Sequence, residues 1–152
     1  MYRNFKILLA EDSEDDTTIL KRAFIRAGIN APIAVVGDGQ EAIRYLSGTG
    51  RFSNRQDFPL PNLILLDLKM PVMNGFDVLE WLRKQPVLRR IPVLLLSSSL
   101  LQQDIDLAHE LGVNGYTVKP RNLAELTELI THIESYWLRE HRYPSLTTFA
   151  ST

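Results

Sequence analysis

The sequence predicts a three-layer α/β domain, a doubly wound five-stranded parallel sheet with helices on both faces. Three observations predict it. Five short apolar runs recur along the chain, and each is followed by a stretch whose apolar residues fall at helical spacing. The run Leu63-Ile64-Leu65-Leu66 contains no polar residue, which suits a strand covered on both faces. Strict alternation of strand and helix calls for parallel pairing through right-handed crossovers.

The elements follow in order. Lys6-Ile7-Leu8-Leu9-Ala10 is the first strand, ending in Glu11 and Asp12. Ser13 or Asp12 can cap the helix that follows, and Glu14, Asp15 and Asp16 suit its first turn. Its inner face is Ile19, Leu20, Ala23, Phe24 and Ala27, and Gly28 stops it. Ile33-Ala34-Val35-Val36 is the second strand. A short helix marked by Ala42, Ile43 and Leu46 closes at Gly48. Thr49 to Pro61 is a long polar loop whose Phe52 and Phe58 are expected to pin it to the body; its chemistry is not legible. The third strand ends at Asp67. Asn74-Gly75 opens a helix with Phe76, Leu79 and Leu82 inward, ended by Pro86. Ile91 to Leu96 is the fourth strand, stopping at Ser97-Ser98-Ser99. Gln102 to Leu111 is the fourth helix and Tyr116-Thr117-Val118 the fifth strand, stopped by Lys119-Pro120. Asn122 caps the last helix, with Leu123, Leu126, Ile130, Ile133 and Trp137 inward. Residues 1–140 form one domain, residues 141–152 a tail that is expected to be mobile from about Tyr143. The strand order 2-1-3-4-5, the flavodoxin-like arrangement, fits five strands in a chain of 152 residues.

Composition narrows the function. Net charge is −1, which recruits neither nucleic acid nor an anionic membrane. The absence of cysteine excludes disulfides and thiolate metal sites. No apolar run approaches the ~20 residues a membrane helix needs. A cytoplasmic protein is expected. His109, His132 and His141 are scattered and read as surface residues rather than ligands.

Four strand ends of such a sheet open onto one edge, and here all four are polar. They deliver Glu11 and Asp12, then Asp67, Ser97 and Lys119. Each has an ordinary reading alone: a helix cap, a turn, a solvated loop. Together they make a site. Gathered carboxylates repel one another, and a hard cation resolves the repulsion. Glu11, Asp12, Asp67 and the Lys69 backbone carbonyl form an oxygen ligand set suited to Mg2+, provided the Lys69 ammonium points away. A hydroxyl and an ammonium beside a metal-bound carboxylate are the donors a phosphoryl group needs. Asp67 is therefore expected to attack phosphorus and become an aspartyl phosphate.

Leu8-Leu9-Ala10-Glu11-Asp12-Ser13, the stretch Leu65-Leu66-Asp67-Leu68-Lys69-Met70-Pro71-Val72-Met73-Asn74-Gly75, the run Pro92 to Ser97 and Gly115-Tyr116-Thr117-Val118-Lys119-Pro120 together resemble the receiver domain of two-component response regulators. The resemblance runs from Lys6 to about Trp137. It implies that Asp67 is the phosphorylation site, that Ser97 and Lys119 hold the phosphoryl group, and that Glu11 acts on Mg2+ through water. It also implies that Ser97 and Tyr116 form the switch. Lys69 and Ser99 occupy positions that tune phosphate lifetime. Ser97 stands where Thr is commoner and Glu11 where Asp is, and both keep the chemistry. The long loop, Lys119-Pro120-Arg121-Asn122-Leu123 and Ile133 to Leu138 are similar to the stand-alone regulators of bacterial phytochromes. That implies a phytochrome histidine kinase as partner and light-dependent signalling.

Too few residues follow Trp137 for an output domain, so the output is expected to be a protein contact. The resemblance implies a homodimer through the fourth helix, fifth strand and fifth helix, with Leu107, Leu111, Tyr116, Tyr136 and Trp137 on that face. Kinase docking would use the first helix and the loop after the fifth strand, including Ile19 and Pro120. Beyond self-phosphotransfer and self-dephosphorylation no enzyme activity is expected. The alternatives are a scaffold receiver that never carries phosphate, or an aspartyl-phosphate phosphatase of the haloacid-dehalogenase type. The latter needs an Asp two residues after the nucleophile, where this chain has Lys69. A flavin or nucleotide binder would need a phosphate loop after the first strand, which the acidic run there would repel.

Overall fold

A computed structural model describes residues 2–147. Five parallel strands run in the order β2-β1-β3-β4-β5: β1 Ile7–Ala10, β2 Ile33–Val36, β3 Leu63–Leu66, β4 Val93–Ser97 and β5 Gly115–Val118. The helices are α1 Glu14–Arg26, α2 Gly39–Ser47, α3 Gly75–Arg83, α4 Gln102–Glu110 and α5 Leu123–Ile133. The expected class and strand order both hold.

Alternation of side chains along each strand explains why the strands are apolar throughout. Leu8, Ala10, Ile64, Leu66, Val93 and Leu95 face one core with Ala42, Leu46, Val78, Leu79, Leu82 and Ala108, so α2, α3 and α4 cover that side. Ile7, Leu9, Leu63, Leu65, Leu94 and Leu96 face the other core with Leu20, Ala23, Phe24, Leu126, Ile130 and Ile133 of α1 and α5. All four residues of β3 are fully buried, and each contributes about 1.5–3 kcal/mol by leaving water. A charge at Leu65 would abolish that term and leave an ion in the core.

Ser13 and Asn122 cap α1 and α5 as expected. Ser13, Asp38, Asn74 and Asn122 each accept a backbone amide three residues on, and Asn74 with Asp77 closes a full capping box. Some inner-face expectations are corrected. Ile19 is 40% exposed, because Leu20, Ala23 and Phe24 already fill the face toward β1 and α5. Phe76 is only half-buried, and Val78 takes its place in the core.

The Thr49–Pro61 loop is packed at the sheet edge opposite Asp67. Tyr45, Phe52 and Phe58 form an aromatic cluster with centroids 5.1–6.0 Å apart. Arg55 donates to the Tyr45 and Leu46 carbonyls at 2.7 Å and so caps the end of α2. Helix continues past α5 to about the end of the expected domain, and the described part of the expected tail, residues 141–147, packs on the body. A π-helical extension, Glu134–Glu140, follows α5. Beyond it His141 packs at a tilt on Trp137 and edge-on against Tyr143, and Tyr143 packs on Phe5 while its hydroxyl donates to the Trp137 carbonyl. Arg90 donates to the Ser145 and Thr147 carbonyls, and Leu146 packs on the α3 side. Aromatic contacts and a guanidinium clasp therefore order the chain past Tyr143, a signal that polarity alone does not carry. The remainder of the expected tail, 148–152, lies outside the described residues.

Candidate functional site: a carboxylate cluster at the strand ends

Asp67 follows the central strand, and its amide donates to the Ala10 carbonyl of β1, which fixes its height beside Glu11. The backbone then returns close upon itself. Gly75 donates to the Leu68 carbonyl, and a Cβ on Gly75 would collide with the carbonyl of Asp67. Gly39 likewise abuts Met73, whose carbonyl accepts its amide at 3.1 Å. Two side-chain-free positions thus hold the β3–α3 loop beside the acceptor. Val72 in that loop is strained: it has φ +69° and is 73% exposed.

Glu11, Asp12 and Asp67 bring carboxylate oxygens within 4.8 Å of one another. Glu11 and Asp67 are buried, whereas Asp12 is exposed. Lys119, at the end of β5, reaches across the edge. Its Nζ lies 2.8 Å from Glu11 Oε1, 3.3 Å from Asp67 Oδ2 and 3.1 Å from Asp16 Oδ2. The Lys119 amide donates to the Ser97 carbonyl, so β4 and β5 end together.

The electrostatics follow from burial and crowding. Burial, with Asp67 alongside, pushes the Glu11 carboxyl up to about 8, although Lys119 works against the shift. Burial also disfavours the Lys119 ammonium, but its hydrogen bond to Glu11 and the fields of Asp67 and Glu11 outweigh this and hold it above the usual lysine range. Asp16 is depressed, chiefly by a hydrogen bond with Glu11 and then by Lys119.

Glu11 Oε2 is buried and has no hydrogen-bond partner. A buried carboxylate oxygen without a donor, on a residue clustered with two further carboxylates, suits a hard cation that supplies the missing positive charge. The donor set fits a divalent metal.

Of the expected site residues, Glu11, Asp12, Asp67 and Lys119 are brought together. Ser97 is fully buried at its strand end, and its hydroxyl oxygen accepts the Ser99 amide. The Lys69 side chain is exposed. Tyr116 is half-buried, and its hydroxyl donates to the Ser99 carbonyl. Asp16 escaped the sequence reading as a participant. An acidic residue in the first turn of α1 is ordinary, so its sequence position gave no signal of the contact with Lys119. Beside the cluster, a cavity of about 330 Å3 opens between α1 and the start of α5, lined by Ile19, Leu20, Arg22, Pro120, Arg121 and Leu123 among others.

The model of the response regulator receiver domain matches residues 7–131. The chain belongs to this family. As a receiver domain it is 37% identical over 139 residues to response regulator Rcp1 of Synechocystis sp. strain PCC 6803, covering 91% of this chain and 92% of that protein. Its structure resembles response regulator RPA3017, in red light signaling of R. palustris, with a TM-score of 0.88 and 37% identity. It also resembles the phosphorylated cyanobacterial phytochrome response regulator RcpA, with a TM-score of 0.85 and 37% identity. Each alignment covers 93% of this chain and 99% of the other. Rcp1 has also been solved in a Mn2+-bound form, at a TM-score of 0.82. This receiver carries the acidic cluster of a divalent-metal site in Glu11, Asp12 and Asp67. No helix among the described residues is long and apolar enough to cross a membrane.

Proposed function

We propose that this receiver accepts a phosphoryl group on Asp67 from a histidine kinase, and that the kinase is a bacterial phytochrome. The observation that carries the reading is Lys119 reaching Asp67 and Glu11 together at the mouth of a buried carboxylate cluster. Glu11, Asp12, Asp67 and the Lys69 carbonyl would hold Mg2+, with Glu11 acting through water. Bound there, the ion would neutralise charge on the phosphoryl oxygens.

A carboxylate oxygen of Asp67 attacks phosphorus in line. The N–P bond of the phosphohistidine breaks, its electron pair stays on the imidazole nitrogen, and the imidazole is left to take up a proton. Lys119 donates to one equatorial oxygen and the Ser97 hydroxyl to another. The rigid, fully buried β3 holds Asp67 against recoil. Tyr116 then reports the Ser97 movement to the α4-β5-α5 face, where a homodimer forms. Leu107 and Tyr136 are 40% and 50% exposed on α4 and after α5, which supports a contact there. The donor domain docks over Ile19 and Pro120, beside the cavity. The phytochrome assignment draws support from the relatives described as phytochrome or red-light regulators.

Phosphoramidate with Mg2+ should raise the intact mass by one phosphoryl, and Asp67→Asn should abolish the gain. Undiminished labelling of that variant refutes the site. Phosphotransfer profiling against the histidine kinases of the same cell tests the donor, and a kinase other than a phytochrome as the preferred donor refutes that part. Sedimentation equilibrium tests the dimer, and a clean monomer with and without phosphorylation refutes it.

A further inference from the structure

The turn between β4 and α4 gathers hydrogen bonds onto one residue. The Ser99 amide donates to the Ser97 hydroxyl oxygen at 3.1 Å. The Ser99 carbonyl accepts the Tyr116 hydroxyl at 2.9 Å. The Ser99 hydroxyl donates to Asp104 Oδ2 at 2.6 Å and accepts the Leu101 amide at 3.2 Å. Ser99 is 7% exposed. Both residues read above as the switch therefore meet at the Ser99 backbone, and the Ser99 side chain is moored to the first turn of α4.

Asp104 is the carboxylate in this set. A hydroxyl-to-carboxylate hydrogen bond of this length is charge-assisted and stronger than the neutral bonds around it. The carboxylate is only partly buried, and it borders a shallow cavity with Leu68, Met70, Asn74 and Phe76, which leaves room for it to turn once Ser99 is released. Leu101, the N-cap residue of α4, has no capping side chain, and its own amide is held by the Ser99 hydroxyl just before the helix begins.

We infer that Asp104 is a positioning residue for phosphoryl acceptance: through Ser99 it moors the β4–α4 turn and sets how often Ser97 and Tyr116 leave the arrangement seen here. The inference rests on the reading of Asp67 as acceptor and of Ser97 and Tyr116 as the switch. Removing the mooring raises the population of the released turn. A state that is sparsely populated limits the rate by its own fraction, so labelling of Asp67 should quicken by up to about tenfold as that fraction rises.

The experiment uses the full chain with fluorotyrosine at its tyrosines, the Tyr116 19F resonance being assigned by Tyr116→Phe. Without any phosphodonor, Asp104→Ala should shift or broaden that resonance, and Asp104→Asn, which keeps an acceptor of the same length, should restore most of the wild-type signal. With Mg2+ and phosphoramidate, Asp104→Ala should label several-fold faster at unchanged Mg2+ affinity. Ser99→Ala should do the same, and the double variant should add nothing further. An unmoved Tyr116 resonance in Asp104→Ala overturns the inference, as does a labelling rate equal to wild type. A wild-type chain that takes no phosphoryl group overturns the acceptor reading instead, while the fluorine signal still decides whether Asp104 governs Tyr116.

Discussion

Binding of Mg2+ at the cluster should expel a proton from Glu11. Burial, with Asp67 alongside, pushes the Glu11 carboxyl up to about 8, so at pH 7 it is mostly protonated, whereas holding Mg2+, even through water, calls for the ionised carboxylate. The apparent affinity is reduced by the fraction ionised, about a hundredfold at pH 6, about tenfold at pH 7 and about twofold at pH 8. Lys119 stays charged throughout this range, because its carboxylate partners hold it above the usual lysine value, and it releases nothing. Calorimetric titration in buffers of different ionisation enthalpy counts the proton: about 0.9 released per Mg2+ at pH 7 and about 0.1 at pH 9. Glu11→Gln should release none and lose the pH dependence. The same shift governs stability. The folded chain without Mg2+ keeps its Glu11 proton to about pH 8, whereas the unfolded chain loses it near the ordinary glutamate value of 4.5. Stability should therefore fall as pH rises between those values. Saturating Mg2+ should flatten the slope. A Mg2+ affinity independent of pH from 6 to 8, with no proton released at pH 7, would refute the account of Glu11 as a buried, charge-starved carboxylate.

Two backbone predictions follow from the loop beside Asp67. Gly75→Ala should cost about 2–3 kcal/mol in urea unfolding, because its Cβ meets the fixed Asp67 carbonyl rather than a movable side chain. It should also slow labelling, whereas Gly37→Ala, with only the Glu41 carboxylate near its Cβ, should stay within about 0.5 kcal/mol of wild type. Equal effects of the two would refute the close approach. Val72→Gly should stabilise the chain by about 1 kcal/mol, since Val72 is 73% exposed at φ +69° and gives up strain without losing packing. A destabilised Val72→Gly would mean that the valine makes a contact worth more than its strain.

Much of this protein was legible in its residues. Unbroken apolar runs identify strands covered twice, and alternation with amphipathic stretches leaves few topologies. The carboxylates, the hydroxyl and the ammonium at four strand ends then meet by the geometry of any such sheet. Asp16 and Asp104 were not legible as partners. Each lies in the first turn of a helix, where an acidic residue is ordinary, and only the tertiary packing shows that one reaches Lys119 and the other Ser99. The docking of residues 141–147 was hidden for a related reason, since its polar sequence describes solvent exposure and its contacts come from Phe5 and Arg90 far along the chain as well as from nearby Trp137. Periodicity and strand-end chemistry are local quantities that a sequence displays directly. Charge coupling, the orphaned oxygen of Glu11 and the mooring of the β4–α4 turn depend on distances between remote segments, which exist only once the chain has folded.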